Sequence, residues 1–212
     1  LYVATDETLR KISDFVYNGG EVEMMYKSGY TDTDNAVRPV LAPGPLAEAC
    51  GFTYQEYSSI PVLPLKSDVM DVAGNAASVW MEFLQVSTAM PLACAEHEFF
   101  GKWPCITENA YGKGHLIYAG TLPDDEMIAK LILRAVDRKG IAIAERSETF
   151  PVIFRSGTND YGKTIRYIFN YSSEAREIDY PFTGGKSLLG GGRIKQHSKI
   201  NIEPWGVVIV EE

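Results

Sequence analysis

The side chains able to do chemistry are thinly spread along this chain. Asp32 and Asp34 share a polar loop, and Glu96 and Glu98 share one face of a strand-like run. Hydrolysis of a glycosidic bond needs two carboxyl groups roughly 5 to 10 Å apart, one kept protonated and the other ionised. Neither pair has neighbours that would separate its two pKa values, so both read as solvated surface groups. Cys50 stands in Glu48-Ala49-Cys50-Gly51, at the end of a short helical stretch. A nucleophilic thiol sits instead on a strained turn between strand and helix, with glycines on both sides. One glycine at a helix end does not build that turn, and Cys50 reads as a buried structural thiol.

Gly112-Lys113-Gly114 is the remaining candidate, as a phosphate cradle. Such a loop leaves a strand and opens a helix, so that free N–H groups face the anion. Here Pro104 to Ala110 and His115 to Thr121 both read as strands, which makes the glycines the turn of a β-hairpin with Lys113 at its exposed tip. Cys50, Cys94 and Cys105, with His97, His115 and His197, show no metal-ligand spacing. No catalytic residue, metal or cofactor is expected. Trp80, Trp103, Trp205 and the tyrosines could offer faces to a sugar, but a β-sandwich core uses the same residues. Trp205, just before Val207-Val208-Ile209-Val210, is expected to pack at a strand start.

The elements that position these residues follow from periodicity and punctuation. Thr5 or Asp6 caps a helix with Leu9, Ile12, Phe15 and Val16 on one face, ended by Gly19-Gly20. A strand, Glu21 to Tyr26, follows at once. A helix passing within two residues to a strand is half of a βαβ unit, which predicts a parallel sheet with crossover helices. A long loop over Ser28 to Pro45 leads to a short helix ending at Gly51, and loops of this length are functional or interfacial. Residues 52 to 65, with Pro61 and Pro64, read as irregular or edge strand. Trp80 to Leu84 and Leu92 to Ala95 read as strands. Asp124-Asp125-Glu126 opens a second helix with Ile128, Leu131, Ile132, Ala135 and Val136 on its buried face. Beyond it, Val152 to Arg155, Thr164 to Tyr171, Glu177 to Phe182 and Val207 to Val210 alternate between glycine-rich turns, as in a small antiparallel β-domain. The boundary is expected within residues 141 to 147.

With 212 residues, 45% of them hydrophobic, the chain can bury a sizeable core in one large domain or two modest ones. Twenty basic against twenty-eight acidic residues give a net charge of −8, which argues against nucleic acid or an anionic membrane as partner. No apolar run approaches a membrane span and no leader pattern opens the chain, which begins on Leu1-Tyr2-Val3-Ala4 rather than Met, as though cut from a larger protein. The compartment is unknown, with the cytoplasm favoured.

Several motifs in fixed order resemble a known family. They are Phe15-Val16-Tyr17-Asn18-Gly19-Gly20, Tyr26-Lys27-Ser28-Gly29 with Asp32 and Asn35, Pro43-Gly44-Pro45-Leu46, Trp80 with Glu82, and Asn109-Ala110-Tyr111-Gly112-Lys113-Gly114 with Tyr118 and Gly120-Thr121. Together they are similar to the middle, trimerisation domain of glycoside hydrolase family 42 β-galactosidases. Tyr167 to Tyr171, Leu188 to Gly191 and Ile202 to Ile209 resemble that family's C-terminal β-domain. The resemblance implies an amidotransferase-like, flavodoxin-like α/β domain with a mostly parallel sheet over residues 1–143, truncated at its start. An antiparallel β-sandwich over residues 144–212 would follow. It also implies that the two catalytic glutamates of a retaining mechanism belong to a (β/α)8 barrel absent from this chain, so none is carried over. The implied role is subunit assembly as a trimer, with galactoside substrate reached through the barrel. A sugar-binding accessory module, or less readily an amidotransferase-like enzyme, are the alternatives.

Overall fold

The first helix forms where capping chemistry places it. In the computed structural model, which describes residues 1–140 and 150–212, helix α1 (Asp6–Tyr17) starts with the Thr5 Oγ1 accepting from Thr8 N at 3.0 Å, and Asp6 and Glu7 occupy its first turn. Leu9 and Val16 are fully buried. Phe15, expected on the same face, is 58% exposed, because its ring folds back over Gly20, where any Cβ would collide with it. Strand β1 (Glu21–Met25) follows, and a short 3₁₀ turn at Gly44–Leu46 runs into α2 (Ala47–Cys50). Next come β2 (Phe52–Thr53), β3 (Tyr57–Lys66), β4 (Ala76–Glu82), β5 (Gln85–Val86), β6 (Met90–Ala95), β7 (Pro104–Tyr111), β8 (Gly114–Ala119) and β9 (Thr121–Pro123). Helix α3 (Asp125–Arg138) completes the first of two units, Leu1–Lys139 and Gly140–Glu212. The boundary expected at residues 141 to 147 lies outside the described residues.

The principal sheet has the order β1-β8-β7-β6-β3-β4-β9, with β2 and β5 paired separately. It is mixed rather than mostly parallel: among its described pairings only β1 with β8 is parallel. Parallel neighbours need a crossover of about a dozen residues or more, and from β3 onward each connection is shorter, so the chain can only double back. The helix-to-strand step from α1 to β1 was legible, but it does not extend to the rest of the sheet. Residues 52 to 65, expected as irregular or edge strand, hold most of β3, an internal strand between β6 and β4. Pro61 is accommodated by an irregularity between Ile60 and Leu63, while Pro64 pairs with Ala76.

Both faces of this sheet are covered. One core gathers Leu63, Met81, Leu92, Ile106 and Ile117 with Met127 and Leu131 of α3. The other gathers Leu9 and Val16 of α1, Ala49 and Cys50 of α2, and Tyr54, Leu84, Leu116 and Tyr118. Alternate residues of β8 thus serve opposite cores. Helix α3 is capped by Asp124, whose carboxylate accepts from Met127 N at 2.9 Å. Met127 and Leu131 are its buried anchors, whereas Ile132, expected inward, is exposed together with Leu133.

The second unit is antiparallel throughout its described strands. Strands β10 (Val152–Thr158), β11 (Thr164–Asn170), β12 (Arg176–Asp179), β13 (Gly184–Ser187), β14 (Arg193–Lys195), β15 (Lys199–Ile202) and β16 (Val207–Glu211) form a five-stranded sheet, β10-β11-β16-β13-β14, and the pair β12-β15. Phe154, Ile168 and Val210 from the first meet Ile178, Ile200 and Ile202 from the second in one core.

The glycines of the β7–β8 hairpin answer to packing. Gly112 has φ +62°, and a Cβ on Gly114 would lie 2.1 Å from the Gly20 carbonyl oxygen and 2.3 Å from that of Val16. The turn clamps the end of α1: Lys113 N donates to Tyr17 O at 2.9 Å and His115 N to Gly20 O at 3.1 Å. Gly114→Ala is therefore expected to destabilise the first unit by about 1–3 kcal/mol in urea unfolding, while Lys113→Ala, at the exposed tip, shifts it by less than about 0.5 kcal/mol. Equal effects from the two would contradict this packing role.

Candidate functional site

The turn that leaves β1 carries the most unusual backbone near a charged group. Lys27 has φ +58°, in the left-handed region that residues with a Cβ seldom adopt. Its N–H donates to the Glu82 Oε1 at 2.7 Å, while the Tyr118 hydroxyl donates to Oε2 at 2.8 Å. Glu82 is itself fully buried, and its own N–H is bonded to Gly120 O at 2.8 Å. Burial raises the Glu82 pKa, opposed by these donors. The Tyr54 hydroxyl and the Trp80 indole N–H lie near the same carboxylate, and neither reaches a hydrogen-bond partner among the described residues. Burial, with Glu82 nearby, also pushes the Tyr54 and Tyr118 hydroxyls well above the usual tyrosine range.

Above this buried carboxylate runs a row of aromatic rings. The Lys27 Nζ lies 3.8 Å from the Trp80 ring centroid, Trp80 packs on Tyr57 at 4.3 Å, and the Tyr57 and Tyr30 hydroxyls are 3.2 Å apart. That hydrogen bond is the chief reason the Tyr30 pKa is pushed up to about 12. Tyr2 stacks on Tyr30 at 5.6 Å. A left-handed turn after a strand is where hydrolases present a nucleophile. Here it carries Lys27, whose ammonium sits on an indole, and Ser28, whose hydroxyl donates to Met25 O at 2.6 Å. Lys27 and Ser28 are thus committed to structure.

The loop from Ser28 to Pro45 is fixed by a second charge. Arg38 donates to Ala4 O at 2.6 Å and Gly29 O at 3.1 Å and pairs with Asp6. Asp32, weighed above as one of a carboxylate pair, accepts from Asp34 N at 3.0 Å and Ala36 N at 2.9 Å, which makes it a turn-former. Glu96 and Glu98 do not share a strand face: both follow β6 in an exposed turn. Cys50 and Cys105 are buried, which raises both thiols, and Cys94 is half-buried. His97 accepts from Phe99 N and Phe100 N in its own turn. Trp205, expected to pack, is 69% exposed with φ +54°, so it caps the turn before β16 rather than filling a core.

A third cluster joins α3 to the sheet. Glu108 on β7 receives two hydrogen bonds from Arg134, at 3.0 and 2.9 Å, and another from Arg138, which also bonds Glu21 at 2.6 Å. His115 Nδ1 lies 3.2 Å from Glu21. Burial alone would raise the Glu108 pKa, but the two guanidinium groups hold it below the usual range. Among the described residues no group of three or more His, Cys, Asp or Glu could hold a metal, and no helix is long and apolar enough to cross a membrane.

Glu108 and Arg38 had no role in the sequence reading, and Glu82 entered it only as a motif residue beside Trp80. Glu82 interrupts the apolar run Trp80 to Leu84, and Arg134 and Arg138 fall four apart on one helix face. Both were available signals of buried partners.

Comparison with known proteins gives the class of this arrangement. Residues 1–142 match the β-galactosidase trimerisation domain, and the chain belongs to that family. Among its relatives, β-galactosidase LacA of Lactobacillus acidophilus is 27% identical over 199 residues, covering 94% of this chain and 30% of that protein. β-Galactosidase Bga of Halorubrum lacusprofundi is 28% identical over 235 residues, covering all of this chain and 33% of that protein. The β-galactosidase of Bacillus circulans sp. alkalophilus superposes with a TM-score of 0.84 at 20% identity, over 100% of this chain and 32% of that chain. A catalytic mutant of Gan42B, a GH42 β-galactosidase from G. stearothermophilus, gives 0.83 at 20% identity, over 100% and 31% respectively. The chain thus spans about a third of the length of the relatives it matches.

A raised carboxylate pKa fixes the sign of a pH effect. Between the ordinary value of 4.5 and the higher folded value, the native chain holds a proton that the unfolded chain has lost. Glu82 therefore costs stability progressively as pH rises through that window. Glu82→Gln is expected to gain stability relative to wild type from pH 5 to pH 8 in denaturant titrations, whereas Glu82→Ala, which strands the Lys27 and Tyr118 donors, loses about 2–4 kcal/mol at pH 5. Parallel pH profiles for wild type and Glu82→Gln would refute the assignment.

Proposed function

We propose that this chain is the noncatalytic assembly region of a β-galactosidase, holding subunits together while hydrolysis of terminal β-galactosides takes place in a barrel domain outside it. The observation that carries this reading is the match of residues 1–142 to a family described by trimerisation. The local chemistry agrees with it. Every buried carboxylate of the first unit is tied to protein partners: Glu82 to Lys27 and Tyr118, Glu108 to Arg134 and Arg138. Asp32 is spent on closing its own turn, and Asp34, Glu96 and Glu98 are exposed.

The same proposal places the division between an α/β domain, residues 1–143, and a β-domain, residues 144–212. It also relates the first to amidotransferase-like domains that lack their nucleophile. The support for that relation is local: the parallel pair β1-β8, with α1 and α3 on opposite faces, and a left-handed turn after β1 that holds Lys27 where a nucleophile would stand. In an enzyme of this design the domain supports catalysis by placing neighbouring barrels, with galactoside bound there and self-association here.

A sugar-binding accessory role is favoured by one observation, the exposure of Trp205 and Tyr161 on the second unit. Two measurements on the 212-residue chain decide between these roles. Release of nitrophenol from a nitrophenyl β-galactoside should be undetectable, and saturation-transfer NMR with galactose and lactose should show no transfer to the chain. Turnover would overturn the noncatalytic reading, and transfer abolished by Trp205→Ala would establish the accessory role instead.

A further inference from the structure

The chain between β6 and β7 is held by a histidine whose chemistry the framework above does not use. Residues 96–103 leave β6 and make one helical turn, in which Gly101 N donates to His97 O at 2.9 Å. The first N–H groups of such a turn have no carbonyl behind them and need a side-chain acceptor. Ser, Thr, Asp or Asn is the usual source of it. Here the source is His97, whose Nδ1 accepts from Phe99 N at 3.1 Å and from Phe100 N at 3.2 Å. The capped turn carries an aromatic cluster. The rings of Phe99 and Phe100 lie 6.0 and 6.2 Å from that of Phe83, on which Trp103 stacks at 4.5 Å. The His97 ring itself lies 4.8 Å from Phe100, and Phe83 belongs to the core shared with α3.

An imidazole differs from the usual caps in one respect. It accepts at Nδ1 only while that nitrogen carries no proton, whereas an imidazolium is a donor at both nitrogens. Protonation therefore turns two attractions into repulsions. Four charged groups, two of each sign, share one concavity with the ring: Glu96 and Glu98 of the same turn, Lys102 in the 3₁₀ turn that follows, and Lys66 at the end of β3.

We propose that His97 is a pH-operated cap, which as a neutral ring closes this turn over Phe83 and on taking up a proton releases the Phe99 and Phe100 N–H groups and loosens the aromatic cluster. The cap is present when the imidazole is neutral. It is lost on acidification through the range of about pH 5 to 8 in which histidine side chains change charge. This device does not depend on the assembly role proposed above.

The test is NMR of the 212-residue chain, comparing wild type with His97→Asn, whose Oδ1 is an acceptor that does not titrate. At pH 8 the His97 ring should be the tautomer protonated on Nε2, and the Phe99 and Phe100 amides should exchange with solvent at equal rates in the two proteins. At pH 5 these amides should exchange about 5-fold faster in wild type, the effect of losing a cap. Comparing both proteins at one pH cancels the intrinsic pH dependence of exchange and the titration of Glu96 and Glu98, which they share. His97→Ala should show the faster exchange at both pH values. A ratio of wild-type to His97→Asn rates that is the same at pH 5 and pH 8 would overturn the proposal. So would a ring protonated on Nδ1 at pH 8, which is read on wild type alone and needs neither variant to fold.

Discussion

The structure of the first unit depends on a carboxylate that stands inside it. Glu82 ends β4 and accepts from the Lys27 backbone at the end of β1 and from the Tyr118 hydroxyl on β8. These three segments lie far apart in sequence, and one side chain fixes their relative heights. Burying an ionisable group is unfavourable unless its hydrogen-bonding capacity is met, so Glu82 penalises any arrangement in which the turn after β1 or the end of β4 is displaced. The left-handed backbone of Lys27 is intelligible in these terms. A conformation that is unfavourable alone is held because its N–H is the donor this carboxylate needs.

Two further charges act on segments that regular hydrogen bonding does not hold. Arg38 supplies donors to carbonyl oxygens of a loop with almost no ladder partners of its own, and so converts a long excursion into a fixed surface. Arg134 and Arg138, one turn apart on α3, clasp Glu108 and Glu21. This anchors a helix that otherwise relies on only two fully buried apolar residues, Met127 and Leu131. Guanidinium is suited to each place because its planar donors satisfy two acceptors at once.

These features describe a molecule built to keep its form. The turn that could have presented a nucleophile offers its N–H to an internal carboxylate and its ammonium to an indole, and the long loop after it is tied down by Arg38. The assembly role proposed above asks for such rigidity within the unit.

How much of this was legible in sequence varies with the range of the interaction. Helices α1 and α3, the hairpin turn at Gly112 and the antiparallel strands after residue 150 are set by nearest neighbours and were legible in the sequence, whereas the choice of Thr5 over Asp6 as the first cap, and of Asp124 as the second, came from the structure. The ordered motifs from Phe15-Val16 to Gly120-Thr121 were likewise enough to place the family. The parallel expectation failed because it extended one local step, α1 into β1, across connections too short for crossovers. Ile132 and Phe15 pointed outward because helical spacing says which residues share a face but not how much of that face a neighbour covers. Glu82 was hidden because alternation assigns an acid to solvent, whereas this sheet is covered on both sides and its second face is also a core. The identity of the partners of Glu82, Glu108 and Arg38 was decided only by tertiary structure, since pairs such as Lys27 with Glu82, Arg134 with Glu108 and Arg38 with Asp6, which lie 55, 26 and 32 positions apart, leave no local period in the sequence.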